Sequence, residues 1–181
     1  MGSDAPSAPA ARPESLTVPA VVMLVSAFVG FLADYYHWFS YTLPIPPSSG
    51  GTLTVYRNGF ADVSGTLAVI SAGVAFVGAS LALILTGEGS RVAGVVVGLV
   101  GGVALVGSCI LGFAHASDVG VGLLGFAGTA ARGILAMPPV QLARTGKASI
   151  GLYVSLVSGI AIVVAGAVAL RAVRRLSAST G

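Results

Sequence analysis

Two histidines and two aspartates are spaced for joint chemistry. Asp34-x-x-His37 closes one long apolar stretch, and His115-x-x-Asp118 follows another. An i, i+3 spacing puts both members of a pair on one face of a helix. If the two helix ends meet, Asp34, His37, His115 and Asp118 offer two imidazoles and two carboxylates. That set suits a divalent ion such as zinc or copper, or the transfer of a proton. The competing reading of each pair is interfacial hydrogen bonding at a membrane edge. Asp34 has a further argument of its own. Ser26, Gly30 and Asp34 recur every four residues, so the one acid within a span continues a small polar face and is expected to point into protein. An intramembrane carboxylate is a functional candidate by default. Asp34 also falls within about two turns of the outer interface, where it could reach water, and a hydrogen-bonded or salt-bridged anchor is the favoured reading.

Other chemistry is scarce. The chain holds six acids and one cysteine. Cys109 lies in an apolar run, so intramolecular disulfides, thiolate zinc sites and redox pairs are excluded, and it reads as a small core residue. No nucleophile elbow, P-loop, dinucleotide fingerprint, H-E-x-x-H or paired-cysteine pattern occurs. The expectation is a protein that is not an enzyme and needs no cofactor.

The elements that must position these residues follow from composition. The 181 residues are 55% hydrophobic and 8% charged, against about 25% charged in a soluble domain, so the expected solvent is lipid. Lys147 is the only lysine among nine basic residues, and the net charge of +3 is spread over scattered arginines, which argues against a nucleic-acid surface. Abundant Gly, Ala and Val with Arg in place of Lys suggests a GC-rich, actinobacterial type of genome.

A hydrocarbon core about 30 Å thick takes roughly 20 apolar residues in helix. Four stretches qualify, near 18–39, 63–85, 92–114 and 150–170. Continuous apolar runs without alternation argue against a barrel. The fold expected is therefore all-α, a four-transmembrane-helix bundle over 18–170 with a short β-containing first extracytoplasmic loop. Residues 1–17, rich in Ser, Ala and Pro, read as a disordered cytoplasmic tail before an uncleaved first span. Residues 171–181 read as a basic cytoplasmic tail.

Arg171, Arg174 and Arg175 set the orientation, because basic residues favour the cytoplasmic side. Both termini and the turn at 86–91 are then inside, in an inner (plasma) membrane. The bias is five basic residues inside against four outside, the latter being Arg57, Arg132, Arg144 and Lys147. Aromatic residues Tyr35, Tyr36, Trp38, Phe39 and Tyr41 mark one interface. In the first outer loop, about 40–62, the alternation Thr52-Leu53-Thr54-Val55-Tyr56 reads as a strand before an Asn58-Gly59 turn. The second outer segment, about 115–149, carries an apolar stretch broken by Arg132. It reads as an interfacial or re-entrant helix over 119–137, with a fifth span as the alternative.

Shifting the sequence by 87 residues lays Arg57-Asn58-Gly59-Phe60-Ala61 over Arg144-Thr145-Gly146-Lys147-Ala148 and Ser71 over Ser158, a possible duplication of a two-span unit. Small residues mark the packing faces. Gly94, Gly98 and Gly102 recur every four residues in span three, as do Ser71, Ala75 and Ala79 in span two and Gly151, Ser155 and Gly159 in span four. They serve either intramolecular packing or docking on another membrane protein.

Span one, the loop motif Tyr56-Arg57-Asn58-Gly59-Phe60 and the opening of the last span, Gly151-Leu152-Tyr153-Val154-Ser155-Leu156, together resemble small four-span membrane proteins of actinobacteria, mostly uncharacterised. The strand-bearing loop between spans one and two is more distantly similar to the claudin-type tetraspan layout, without that family's tryptophan and cysteine loop motifs. The resemblance covers architecture and transfers no functional residue. It implies an accessory or scaffolding role in a larger envelope complex.

The function expected is a non-catalytic accessory subunit of a larger membrane complex, with an envelope lipid transporter or a respiratory assembly as leading partners. The lipid bilayer is its other partner; neither nucleic acid nor a small-molecule substrate is indicated. The alternatives are a self-assembling channel or small transporter with Asp34 in its pathway, and an extracytoplasmic metal-binding protein.

Overall fold

A computed structural model describes residues 14–44, 52–116 and 146–179. In chain order these form α1 (Glu14–Ala33), β1 (His37–Pro44), β2 (Thr52–Asn58), a 3-10 turn (Gly59–Ala61), α2 (Val63–Ile84), α3 (Glu88–His115), β3 (Gly146–Ala148) and α4 (Ile150–Ser179). Among the described residues four runs are long and apolar enough to cross a membrane: Leu16–Ala33, Val63–Ile84, Glu88–His115 and Ile150–Arg174. The chain is thus mostly helical with a small three-stranded sheet. The segment 119–137, the fifth-span alternative and the tail before residue 14 lie outside the described residues. At the other end the helix runs on through Ser179, so most of what reads as a basic tail continues α4.

The helices pack as a ring in the order α1, α2, α3, α4, and the diagonal pairs scarcely touch. The α2–α3 contact is the most extensive, and its sequence basis is plain. Ala68, Ala72, Ala75, Ala79 and Ala82 form a fully buried ladder on α2. Against it α3 sets glycines. A Cβ on Gly101 would lie 2.5 Å from the Ala75 nitrogen, and one on Gly94 would lie 2.6 Å from the Ala82 nitrogen. The two backbones therefore meet directly, as small residues allow between apolar helices. Outward faces carry Ile70, Val77, Val100, Ile110, Val157 and Val164, all exposed, a surface suited to hydrocarbon rather than water.

Asp62 starts α2 as its N-cap, accepting from the Ser64 backbone nitrogen at 3.1 Å and from the Ser64 hydroxyl. A side-chain oxygen there satisfies a helix donor that has no partner within the helix. At the opposite end Arg91 donates from Nε to the Ala82 carbonyl at 2.9 Å and from Nη2 to Thr17 Oγ1 at 3.3 Å, tying α1, α2 and α3 together.

The sheet has the order β2-β1-β3, with both pairings antiparallel. It departs from the sequence reading at two places, the first being that β3 comes from the second outer segment, where no strand was expected. Span one was expected to continue to about 39, but α1 stops at Ala33 and His37 already pairs with Asn58 in the sheet. Two strands now use the backbone groups of residues 37–41, so a helix cannot. The 87-residue correspondence also meets a difference, since Gly59–Ala61 is a 3-10 turn whereas Gly146–Ala148 is a strand.

Candidate functional site

The chemistry-bearing residues converge where α1 gives way to the sheet. The last turn of α1 tightens, with the backbone nitrogens of Asp34, Tyr35 and Tyr36 donating to the carbonyls of Phe31, Leu32 and Ala33. The Asp34 carbonyl then accepts from the Gly59 nitrogen at 3.0 Å, which fastens the 3-10 turn to the end of α1.

Trp38 organises this region. The register of β1 against β2 slips between His37 and Phe39, leaving Trp38 as the extra residue of a bulge. A bulge re-aims the side chain it contains, which explains how the consecutive Trp38 and Phe39 are both fully buried when a regular strand would face them oppositely. The indole Nε1 donates to the Ala33 carbonyl at 3.2 Å, and the Trp38 carbonyl accepts from the Ser149 nitrogen at 2.7 Å. Two glycines give the ring room. A Cβ on Gly59 would lie 3.0 Å from both Trp38 Cε2 and Asp34 Oδ1, and one on Gly151 would lie 2.8 Å from both Trp38 Cδ1 and the Ala33 carbonyl oxygen. The ring's far edge, Cζ3, reaches the position above Gly112 of α3. One side chain thus touches α1, α3, α4 and the 3-10 turn.

Behind it lies Asp34, with no exposed surface. Among the described residues neither carboxylate oxygen has a hydrogen-bond partner, and the hydroxyls of Ser155 and Tyr41 are equally without one. Ser155 can be placed by its neighbours. Gly151, one turn before it, abuts the Ala33 carbonyl, and Ser158, just after it, abuts Gly30, so Ser155 falls level with the Gly30 to Asp34 turn of α1. Cys109 of α3 is buried and within electrostatic range of Asp34. Asp34, Cys109 and Ser155 are therefore three buried polar groups on three sides of the bundle near this level. Asp34 follows directly after the span Leu16–Ala33, and burial pushes its carboxyl up to about 7, because a charge out of water without a partner is costly. Burial pushes the Tyr41 phenol up to about 12, with Arg57 pulling it down and Asp62 pushing it up.

The remaining residues singled out by spacing separate. His37 is exposed and stacks on Tyr56, with ring centroids 4.4 Å apart. His115 is exposed on the last turn of α3, and Asp118 lies outside the described residues. Because β1 begins at His37, Asp34 and His37 do not share a helical face. Among the described residues no three His, Cys, Asp or Glu side chains gather as metal ligands. Ser26 is half-buried. Gly94, Gly98, Gly102, Ser71, Ala75, Ala79, Gly151, Ser155 and Gly159 all lie inside the bundle. Gly98 faces Met23 and Gly102 faces Ile162, for example. Outside, positions above Gly73 of α2 and Gly107 of α3 have no atom within 4 Å. An apolar groove of about 320 Å³ between α1 and α4 is lined by Val29, Leu32, Tyr36, Ile150, Gly151 and Val154, with Ala33 at its base.

Spacing missed Trp38 and Gly59. The signals for them were the aromatic group that placed Trp38 at an interface and the strand-and-turn reading that placed Gly59 in the first loop, neither of which said what the sheet would cover.

No protein-family model matches the chain, and no curated protein or solved structure is similar to it.

Proposed function

We propose that the protein is a non-catalytic accessory subunit that packs laterally on a larger assembly in the inner (plasma) membrane, with an envelope lipid transporter or a respiratory complex as the leading candidates. The observation that carries this reading is the outer surface of α2 and α3. Gly73 and Gly107 leave open space among large apolar side chains, and such gaps let a partner helix approach to backbone distance. The internal stripes are already used, so a partner would read these outward positions instead. Against a pathway through one copy stands the close packing of the described bundle, where α2 and α3 meet backbone to backbone and Asp34 and Trp38 are both fully buried beside Gly59.

The distribution of basic residues supports cytoplasmic termini. Arg91, Arg171 and Arg174 lie at the end opposite the sheet, while Arg57 and Lys147 belong to the sheet, and the excess of basic residues marks the cytoplasmic side. The sheet then faces outward and is available to extracytoplasmic partner domains.

The test is purification from native membranes in mild detergent through a C-terminal tag, followed by mass spectrometry. A partner in fixed stoichiometry is expected, and Gly73→Leu or Gly107→Leu is expected to lose it without changing helicity or elution of the subunit itself. Recovery of the wild-type protein alone, or only as a homo-oligomer, overturns the reading.

A further inference from the structure

Asp34 carries more than a packing role. A buried acid is ordinarily explained by a partner, and among the described residues Asp34 has none: both oxygens are sealed from solvent without a hydrogen bond. The elements packed around it bring no charge to it, and α2 has no titratable side chain over Val63–Ile84. The 3-10 turn presents Gly59, β1 presents Trp38, α3 presents Cys109 and α4 presents Ser155. Arg57 and Asp62 act on Tyr41, and burial alone acts on Asp34. His37 is exposed against Tyr56, and Lys147 is exposed on β3. No cation is therefore supplied from within the described bundle to balance an ionised Asp34.

A ligand for this carboxyl must be positive, or must neutralise it, and must need almost no space. A Cβ on Gly59 would already come within 3.0 Å of Oδ1, and the indole fills the adjoining volume. A coordinated metal ion requires several oxygen ligands at 2 Å or more, for which there is neither room nor a donor set. A proton requires neither.

We propose that Asp34 is a reversible proton-binding site, loaded while the Trp38 indole is seated against Ala33 and Gly151, and discharged to water on the sheet-bearing side when the indole leaves that seat. On discharge the Oδ–H bond breaks, the carboxylate keeps the electron pair and water takes the proton. The ring is held by an Nε1–H bond to the Ala33 carbonyl at 3.2 Å and by packing beside Gly59, Gly112 and Gly151, so opening the seat withdraws the indole from all of these contacts. The inference is independent of the accessory-subunit reading. A proton site can report external pH within a complex or act alone.

Trp38 is the single tryptophan, so its emission reports this site without labelling. In purified full-length protein the emission is expected to titrate with a midpoint of about 7. The titration should be absent in Asp34→Asn and unchanged in a His37→Gln, His115→Gln double variant. Infrared difference spectra of the wild type between pH 5 and pH 9 should contain one protonated-carboxyl stretch lost around that midpoint, since exposed acids ionise near 4. Trp38→Ala should move the infrared midpoint down by at least one pH unit. A wild type with no carboxyl stretch above pH 5 overturns the proton site, even if Asp34→Asn fails to fold. Emission that still titrates in Asp34→Asn overturns it too. An infrared midpoint unmoved in Trp38→Ala overturns the role of the indole.

Discussion

The two ends of the bundle handle a charged side chain in opposite ways. At the α2–α3 turn, Arg91 is half-buried, its guanidinium tied to the Ala82 carbonyl and the Thr17 hydroxyl. At the sheet-bearing end, Asp34 is fully buried with no partner for either oxygen among the described residues. The arginine spends its charge on a carbonyl that the end of α2 leaves without an intrahelical donor, so the contact is structural. The aspartate answers no such need. Removing it would leave no donor unsatisfied, which is the pattern expected of a group kept for what it does rather than for what it holds.

The contrast breaks most completely at Trp38. Trp38→Ala empties the space between α1, α3, α4 and the 3-10 turn, and truncation of a buried aromatic costs about 3–5 kcal/mol. Stability toward denaturing detergent, followed by helical circular dichroism, is expected to fall by that order. Loss of under about 1 kcal/mol would mean that the indole does not hold the sheet to the helices.

Titration sharpens the contrast next. The Asp34 carboxyl is raised from its ordinary 3.8 to about 7 in the folded protein, so its protonated form favours the fold. Its contribution to stability is full below about pH 4, is lost as pH rises toward 7, and changes no further above that. Three pH units at about 1.4 kcal/mol each set the scale at a few kcal/mol. The wild type is therefore expected to lose stability from pH 4 to pH 7, and Asp34→Asn, neutral throughout, is expected to lack that slope. Equal slopes in the two proteins would assign the effect to other groups.

A smaller effect separates room for the indole from its chemistry. Gly151→Ala would put a Cβ 2.8 Å from Trp38 Cδ1 and from the Ala33 carbonyl oxygen. Overpacking of that kind costs about 1–3 kcal/mol, and the displaced ring should emit at a longer wavelength. Gly73→Ala, with nothing within 4 Å of its Cβ, is the control and should be neutral or slightly stabilising in helix. Equal stability of the two variants would show that the α1–α4 seam accommodates a methyl by shifting.

The helices were legible because apolar runs of about 20 residues admit few structures. The β-containing loop was legible from the alternation at Thr52 to Tyr56. The end of span one was not. Tyr35, Tyr36, Trp38 and Phe39 continue the apolar run of the helix before them, yet Tyr35 and Tyr36 lie in a turn, and only pairing with β2 and β3, far along the chain, draws Trp38 and Phe39 into a strand. The site was half legible. The Ser26, Gly30, Asp34 spacing pointed Asp34 inward, and it is buried. Pairing Asp34 with His37 assumed a helix that the sheet interrupts. Trp38 was hidden because a bulge inverts the side on which a residue falls, and no local pattern announces a bulge. The glycine stripe of span three was found by spacing, whereas its neighbour Gly101, equally close to α2, broke the four-residue rhythm and escaped.

The smallest effect expected is at Arg91. Arg91→Gln keeps a donor of shorter reach and loses the charge, so the bond to the Ala82 carbonyl weakens and the one to Thr17 is lost. A hydrogen bond from a charged donor contributes about 1.5–3 kcal/mol when buried and less where water competes, so a part-exposed contact of this kind should cost about 1 kcal/mol. The more telling expectation is its pH dependence. A guanidinium stays charged throughout the accessible range, so the loss from Arg91→Gln should be the same at pH 5 and pH 9, while that from Asp34→Asn differs between them. Chemical denaturation of both variants at the two pH values measures this directly. A pH-dependent Arg91 effect would mean that the two ends communicate through the length of α1, whose start bears Thr17 and whose end bears Asp34, and the separation of a structural end from a titrating end would no longer stand.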